Sequence, residues 1–305
     1  MTLGLCGNQS LDELQRLAVK HFSDVEDKQL PLRDFSEDEM FKGRTGAWVK
    51  IVPAKDLKIL KLLWPNLPRN MEFYKTKPLM YVSHVLGHEG KNSLLSELIR
   101  KDLAVSCDSS PCYYLQDQFS GFQLTISLTK KGEENLNDVV RLCFAKINCI
   151  NKEGYLRYVW DELATLKLLD FDNRARSPAM GVAKALSLQL GKWRPDIDNS
   201  VIEDLIRRTF MQTDWDEDVI ASFARLLTPQ ACLFIYTSKV NAGIDDLTVE
   251  HHYKTQCKHE PVPDAVLQEW TSAAPEDGEL LGHPHKNEFM PELPLTKFKK
   301  ELAED

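Results

Sequence analysis

Tyr81-Val-Ser-His-Val-Leu-Gly-His-Glu-Gly-Lys-Asn-Ser-Leu-Leu-Ser-Glu-Leu98 is two short helical patterns joined at a glycine corner. Pro78, just ahead of it, suits the first turn of a helix, where the N–H that proline lacks has no intrahelical partner. Tyr81, His84, Val85 and His88 then recur at helical spacing on one face. The pattern stops at Gly87-His-Glu-Gly90, and a second helix starts near Asn92 or Ser93 with Leu94, Leu95 and Leu98 on its apolar side. Such a corner is a rigid place to present backbone groups.

Around this corner, strand patterns come first. Trp48–Val52 and Leu57–Trp64 predict two strands about a turn at Pro53-Ala-Lys-Asp56. Leu103–Leu115 reads as a broken strand region. Phe122–Thr129 alternates without error and turns Phe122, Leu124, Ile126 and Leu128 towards a core. Helical patterns follow over Glu133–Ile150, Tyr155–Leu169, Ala179–Leu190, Ser200–Phe210 and Trp215–Leu227; in the first of them Val139, Leu142, Cys143, Ile147 and Ile150 share a side. Ala231-Cys-Leu-Phe-Ile-Tyr236 is a continuous apolar run, as expected of a strand buried on both faces. From Thr271 onward Pro, Gly, Glu and Asp predict an extended surface path or linker.

Before the corner, Thr2–Cys6 reads as a short strand with no partner ahead of it. Ser10-x-x-Glu13 is a capping box opening a helix to about Phe22, with Leu11, Leu14, Leu17 and Ala18 inward. Asp24–Thr45 is polar and reads as a linker. Strands, then helices, then a closing strand imply an α+β fold, a sheet covered by helices.

A chain of 305 residues can bury a sizeable core in one large or two smaller domains. Its net charge of −8 disfavours nucleic acid as the main partner, because phosphate binding needs clustered Lys and Arg. No apolar run approaches the roughly 20 residues that span a bilayer, so no membrane partner is expected. Met1–Gly7 lacks the basic start and apolar length of a signal peptide. Seven cysteines without paired spacing suggest a reducing compartment, with the cytoplasm as default.

Chemistry-bearing residues are sparse. His84 and His88 have the i, i+4 spacing of zinc ligands, but Glu89 is turned roughly 100° off their face and no third ligand is evident. Buried or substrate-facing histidines are the simpler reading. His251, His252, Cys257 and His259 match no usual metal spacing and lie among Lys254, Gln256 and Lys258. Asp214, Asp216, Glu217 and Asp218 suit a helix start, where negative charge meets the positive end of the dipole. No metal site and no catalytic residue is expected in this chain.

His88-Glu-Gly90 with Ser93-Leu-Leu-Ser-Glu-Leu98, Ser10-Leu-Asp-Glu-Leu14 with His21-Phe-Ser-Asp-Val25, Lys50–Leu57 and Lys286-Asn-Glu-Phe-Met-Pro291 together resemble insulinase-type (pitrilysin, inverzincin) zinc metallopeptidases. The resemblance covers nearly the whole chain, in order, and points to that family's second, non-catalytic domain. It implies a mixed, largely antiparallel sheet with helices packed on one face. It also implies a layout: residues 1–27 as the last strand and helix of a truncated catalytic domain, 28–46 a linker, 47–294 the second domain, and 295–305 a tail towards an absent third. The family's zinc sits in the first domain on a His-x-x-Glu-His helix, a motif absent from this sequence. No cofactor is therefore expected here, zinc belongs to the missing domain, and the chain alone is expected to be inactive.

The same resemblance assigns a role to the corner. In this family the second domain forms part of a chamber wall and carries an exosite that takes the substrate's N-terminal end as an added strand. Residue by residue, His84, Gly87, His88, Glu89 and Gly90 would form one side, and Ser106, Cys107, Asp108 and Ser109 the other. The partners implied are extended peptides and sister domains of one polypeptide. Cys107-Asp-Ser-Ser-Pro111 stands where relatives often carry glycine, which would narrow or tilt that edge. A plain helix corner is the alternative for Gly87 and Gly90. An interaction scaffold without peptide affinity is the alternative for the domain, with Trp64, Phe73, Tyr74 and Trp193 as its apolar docking patch.

Overall fold

The alternation at Phe122–Leu128 becomes a strand whose four apolar residues all face the interior, none more than 6% exposed. The computed structural model describes residues 2–26, 28, 30, 41, 43–69, 73–114, 119–175, 177–193 and 210–291. That strand is β4 (Phe119–Leu128) of a seven-stranded sheet. The others are β1 (Ala47–Ile51), β2 (Lys58–Leu67), β3 (Ala104–Tyr114), β5 (Leu233–Ser238), β6 (Thr248–Val249) and β7 (Gln256–Pro261). Their spatial order is β3-β4-β2-β5-β1-β7-β6. β1 and β5 run parallel and the other pairings are antiparallel.

The helices are α1 (Leu11–Phe22), α2 (Pro78–Leu86), α3 (Leu94–Arg100), α4 (Lys130–Glu134), α5 (Leu136–Glu153), α6 (Arg157–Asp172), α7 (Ala179–Trp193), α8 (Glu217–Ala224) and α9 (Asp264–Thr271). The main core joins Leu60, Leu62 and Trp64 of β2 and Phe234 of β5 to the inward residues of α2, α3, α5, α6, α8 and α9 on one face of the sheet. Trp64 contacts Phe144 of α5 at 6.1 Å between ring centroids, Phe144 stacks on Trp270 of α9 at 6.3 Å, and Trp270 meets Phe234 at 5.0 Å. These large rings remove much apolar area from water and fix α5 and α9 against the sheet. On the opposite face Val49, Leu63 and Leu233 form a small second cluster.

Helix α5 departs from the one-sided pattern. Besides its apolar residues it buries Arg141 and fully buries Lys146. Its second side is covered by the segment 274–291, which runs extended as expected but is tightly held. Arg141 of α5 and Lys101 at the end of α3 both pair with Glu279. Burial pushes the Glu279 carboxyl up, but Arg141, the Glu276 N–H and Lys101 outweigh it and hold it at about 2. Further along, Tyr158 donates to the Pro284 carbonyl, and the Asn287 N–H donates to Glu162 at 3.0 Å.

Several local expectations are corrected. The turn at Pro53–Asp56 does not close a hairpin, because β5 lies between β1 and β2. Its apolar sequence takes the interior place that a strand with a polar face could not. The region read as a broken strand over Leu103–Leu115 holds one continuous strand, β3 (Ala104–Tyr114), with one extra residue at Val105: Ala104 pairs with Leu128 and Ser106 with Ser127. Residues 256–261, read as solvated, form β7 beside β1. Thr2–Cys6 forms no strand; it lies along α7, and a Cβ at Gly4 would stand 2.5 Å from the Ala183 carbonyl oxygen. Ser10 Oγ accepts the Glu13 N–H at 3.3 Å, but the Glu13 carboxylate pairs with Arg16 instead of completing the box. Leu11 is 83% exposed, whereas Leu14, Leu17 and Ala18 are half-buried. All of the expected Ser200–Phe210 helix except Phe210 lies outside the described residues, as do the 295–305 tail and most of 28–46.

Trp64 cannot belong to a docking patch, and Phe73, half-buried, is engaged with the core. Trp64 is fully buried with its indole N–H donating to Thr228 O at 2.9 Å, and Phe73 packs edge-on to Phe223 at 5.3 Å. Tyr74 is half-buried, and the Trp193 side chain lies outside the described residues.

One close approach gives a test of the packing. A Cβ at Gly132 of α4 would fall 1.8 Å from the Leu103 carbonyl oxygen, so the chain leading into β3 passes over a residue that must be glycine. Gly132→Ala should cost about 2 kcal/mol or more in urea unfolding. Gly181→Ala, on α7 with nothing within 4 Å of the added methyl, should instead stabilise through helix propensity. Equal effects at both positions would contradict this packing.

Candidate functional site

Helix α2 ends because Gly87 leaves the helical path at φ −89°, ψ 4°, while its N–H still bonds to Ser83 O at 2.8 Å. Helix α3 starts again at Ser93, whose Oγ accepts the Ser96 N–H at 3.0 Å. Between them the corner faces β3, the outermost strand on its side of the sheet. Together they enclose a cleft of about 400 Å³. One wall is Ser83, His84, Gly87, His88 and Glu89; the other is Cys107, Asp108 and Ser109. Seven of the nine residues expected from sequence are thus brought together. Gly90 and Ser106 adjoin the cleft without lining it.

Ser83 had not been singled out, yet it holds the walls together. Its Oγ donates to Ser109 O at 2.7 Å, and Ser109 Oγ donates back to Ser83 O at 2.6 Å. A Cβ at Gly87 would come within 2.7 Å of Ser109 Oγ, so this glycine admits the chain's own strand rather than a ligand. The signal available in sequence was the spacing: Ser83 stands one helical turn before Gly87.

Because the Ser109 carbonyl points at α2, away from β4, the alternation of an antiparallel strand turns the N–H and C=O of Cys107 and Ser109 to the open side. Pro111, next in that alternation, has no N–H to offer, which suits an edge strand. The open edge is therefore short, centred on residues 107–109. Asp108 is exposed, with its side chain on the opposite face from Cys107 and Ser109.

The Gly90 N–H donates to His88 Nδ1 at 2.9 Å, so the neutral ring carries its proton on Nε2. The His84 and His88 rings meet edge to face at 5.7 Å. Burial, then His88, pushes the His84 pKa below the ordinary histidine value. Burial, Lys146 and His285 lower that of His88 against the pull of Glu162 and Glu89. Burial raises the Cys107 thiol to about 12, so it is no nucleophile at neutral pH. The cleft offers hydrogen-bonding backbone and neutral imidazoles rather than an acid–base pair.

Among the described residues no group of three or more His, Cys, Asp or Glu side chains is placed to hold a metal ion. The His251 and His252 rings contact each other at 5.0 Å beside the β6–β7 turn, and Cys257 Sγ lies 3.4 Å from Thr248 Oγ1. Asp216 caps α8, accepting the Val219 N–H at 3.0 Å.

His84, His88 and the buried His283 all have pKa values held below 6.5. As pH falls through that value the unfolded chain takes up protons that the native chain resists, so stability present at neutral pH is lost towards acid. The melting temperature should be lower at pH about 5.5 than at about 7.5, and His84→Gln should flatten the profile. A wild-type profile already flat over this range would contradict the buried, neutral imidazoles.

Comparison with known proteins adds a lineage to this geometry. Residues 1–157 match the model of the peptidase M16 inactive domain, and residues 171–303 match that of the middle or third domain of peptidase M16. Over 304 residues the chain is 30% identical to the insulin-degrading enzyme of Homo sapiens, covering 97% of this chain and 28% of that protein. It is 28% identical over 296 residues to the insulin-degrading enzyme of Drosophila melanogaster, covering 95% of this chain and 28% of that protein. The fold matches the crystal structure of pitrilysin with a TM-score of 0.79 at 18% identity, over 94% of this chain and 29% of that one. The chain thus spans under a third of the length of these relatives. With one model matching 157 of its 305 residues, the chain belongs to the peptidase M16 family, the insulinase-type metallopeptidases.

Proposed function

We propose that this chain is the non-catalytic, peptide-holding part of an insulinase-like zinc metalloendopeptidase. In this reading it forms one wall of a substrate chamber, and its cleft is an exosite that takes an extended peptide as an added strand on β3. The observation that carries the reading is the juxtaposition of an open strand edge at Cys107 and Ser109 with a cleft of about 400 Å³ walled by His84, Gly87, His88 and Glu89. Main-chain hydrogen bonds there would give affinity with little demand on sequence. Two relatives are named for degrading insulin, which suggests peptides as the substrate class.

Residues 1–27 would complete a catalytic domain that holds the zinc, 28–46 link it to the domain at 47–294, and 295–305 lead to the next. Sister domains of the same polypeptide are the other partners. Cysteines that form no disulfide favour the cytoplasm, and no helix among the described residues is long and apolar enough to cross a membrane. A second reading, a scaffold that only packs on its neighbours, draws on α1: none of its residues is buried, and Leu11 and Val19 are 83% and 59% exposed. A docking face there and a peptide edge on β3 involve different residues, so the two readings are separable.

Two measurements test the proposal. The purified chain should neither cleave a fluorogenic peptide nor carry stoichiometric zinc; one zinc per chain lost with activity in His84→Ala would overturn the reading. An extended peptide should bind in calorimetry, and Ser109→Pro should weaken it beyond Ser109→Ala by about three- to tenfold, the worth of one ladder hydrogen bond. Equal affinity of the two variants would remove strand addition from the account, and no binding to the wild type would favour the scaffold.

A further inference from the structure

Lys146 is fully buried on α5, and its ammonium reaches two backbone carbonyls on different segments. It donates to Asn92 O, in the corner, at 3.0 Å, and to Gly282 O, in the segment 274–291. An ammonium held away from water with only carbonyls at hydrogen-bonding distance is costly to keep, and burial lowers its pKa to about 8. An apolar residue would fill the same space at less cost unless the charge does something there.

The node it makes is more than a plug. Asn92 O also accepts the Gly282 N–H at 3.0 Å, so one carbonyl receives both α5 and the overlying segment. Asn92 stands at φ +63°, in the left-handed region, which turns that carbonyl inward as the chain leaves the corner. Its side-chain amide is 3.5 Å from His285 Nε2 of the same overlying segment. Lys146 and His285 also both act on His88, which lines the cleft. The corner wall is therefore attached to the overlying segment, whereas the β3 wall is attached to α2 through Ser83 and Ser109.

We propose that Lys146 is the positioning residue of the cleft, tying the corner at residues 87–92 to the overlying segment at 274–291 so that the seating of that segment sets the geometry of the peptide-binding edge. The proposal rests on the peptide-binding reading for its functional meaning. The coupling is reciprocal by thermodynamic necessity: peptide that favours one corner geometry also favours the seated segment.

The test breaks the node from two sides. Lys146→Met removes the ammonium, and Gly282→Pro removes the N–H to Asn92 while leaving Lys146 in place. For each variant, hydrogen exchange at residues 87–93 and 280–285, the His88 imidazole titration by NMR and peptide affinity are measured against wild type. Exchange in both segments should rise together by about tenfold or more, with β2 and β4 unchanged. The His88 pKa should rise in Lys146→Met, because a neighbouring positive charge has gone, and peptide should bind about tenfold more weakly in either variant. The double variant should be less than additive if both act through one node. Faster exchange at 280–285 with the corner, His88 and peptide affinity unchanged would make Lys146 a packing residue and overturn the proposal. Should Lys146→Met fail to fold, Gly282→Pro still gives every readout except the loss of charge. Should wild type bind no peptide, the peptide-binding reading falls, while exchange and His88 still decide whether the two segments are coupled.

Discussion

The burial of α5 on every side is the constraint to which most of this structure answers. One side of the helix gives Cys143 and Phe144 to the core against the sheet. The other carries Arg141 and Lys146, cations that water would otherwise solvate. Once the sheet and α9 have claimed the helix, those two charges need partners within the protein. Glu279 and the carbonyls of Asn92 and Gly282 supply them. The course of the segment 274–291 thus follows from two buried cations more than from its own sequence, which has little apolar content to hold it. Lys101, Tyr158 and Glu162 then secure the same segment to α3 and α6.

The cleft inherits its shape from this arrangement. Its floor is an ordinary strand edge, of which only a short part is open. The paired serine bonds take up one carbonyl of β3, and Pro111 withholds an N–H, so a short window remains. Side chains around the window are neutral imidazoles, one exposed aspartate and one glutamate. Pro111, which has no N–H, bounds the open part of that edge.

The sequence carried the local parts of the fold well. β4 was legible because one face is buried and the other is half-exposed, which leaves an alternation that a periodicity argument reads directly. The glycine corner was legible because helix ends have chemical signatures. The interleaving of β5 between β1 and β2 was not, because pairing between strands far apart in the chain leaves no local trace and a turn at Pro53–Asp56 suggests a hairpin as readily as a crossover. β7 was hidden by its mixed burial: it is one strand from the edge, and Gln256, Lys258 and His259 give it a solvated look. Within the site the histidines and glycines announced themselves, whereas Ser83 and Lys146 did not. A serine on a helix and a lysine within one have common surface explanations, and only the three-dimensional arrangement removes them.

The strand order also constrains how the molecule can be made. β1 has β5 and β7 as its neighbours, and Ala47 pairs with Leu233, a separation of 186 positions (233 − 47). The β3-β4-β2 portion closes over short loops, but β1 has no hydrogen-bonding neighbour until two-thirds of the chain beyond it exists. Loop-closure entropy and high contact order make that step the slow one. The boundary between the two family models falls at 157–171, within α6, and so divides one sheet rather than two folding units. A ribosome that has delivered only the first of those parts holds three paired strands, an exposed flank on β2 and an unclaimed β1. On such a partial chain the unpaired edges of β1 and β2 are templates for pairing with a neighbouring nascent chain.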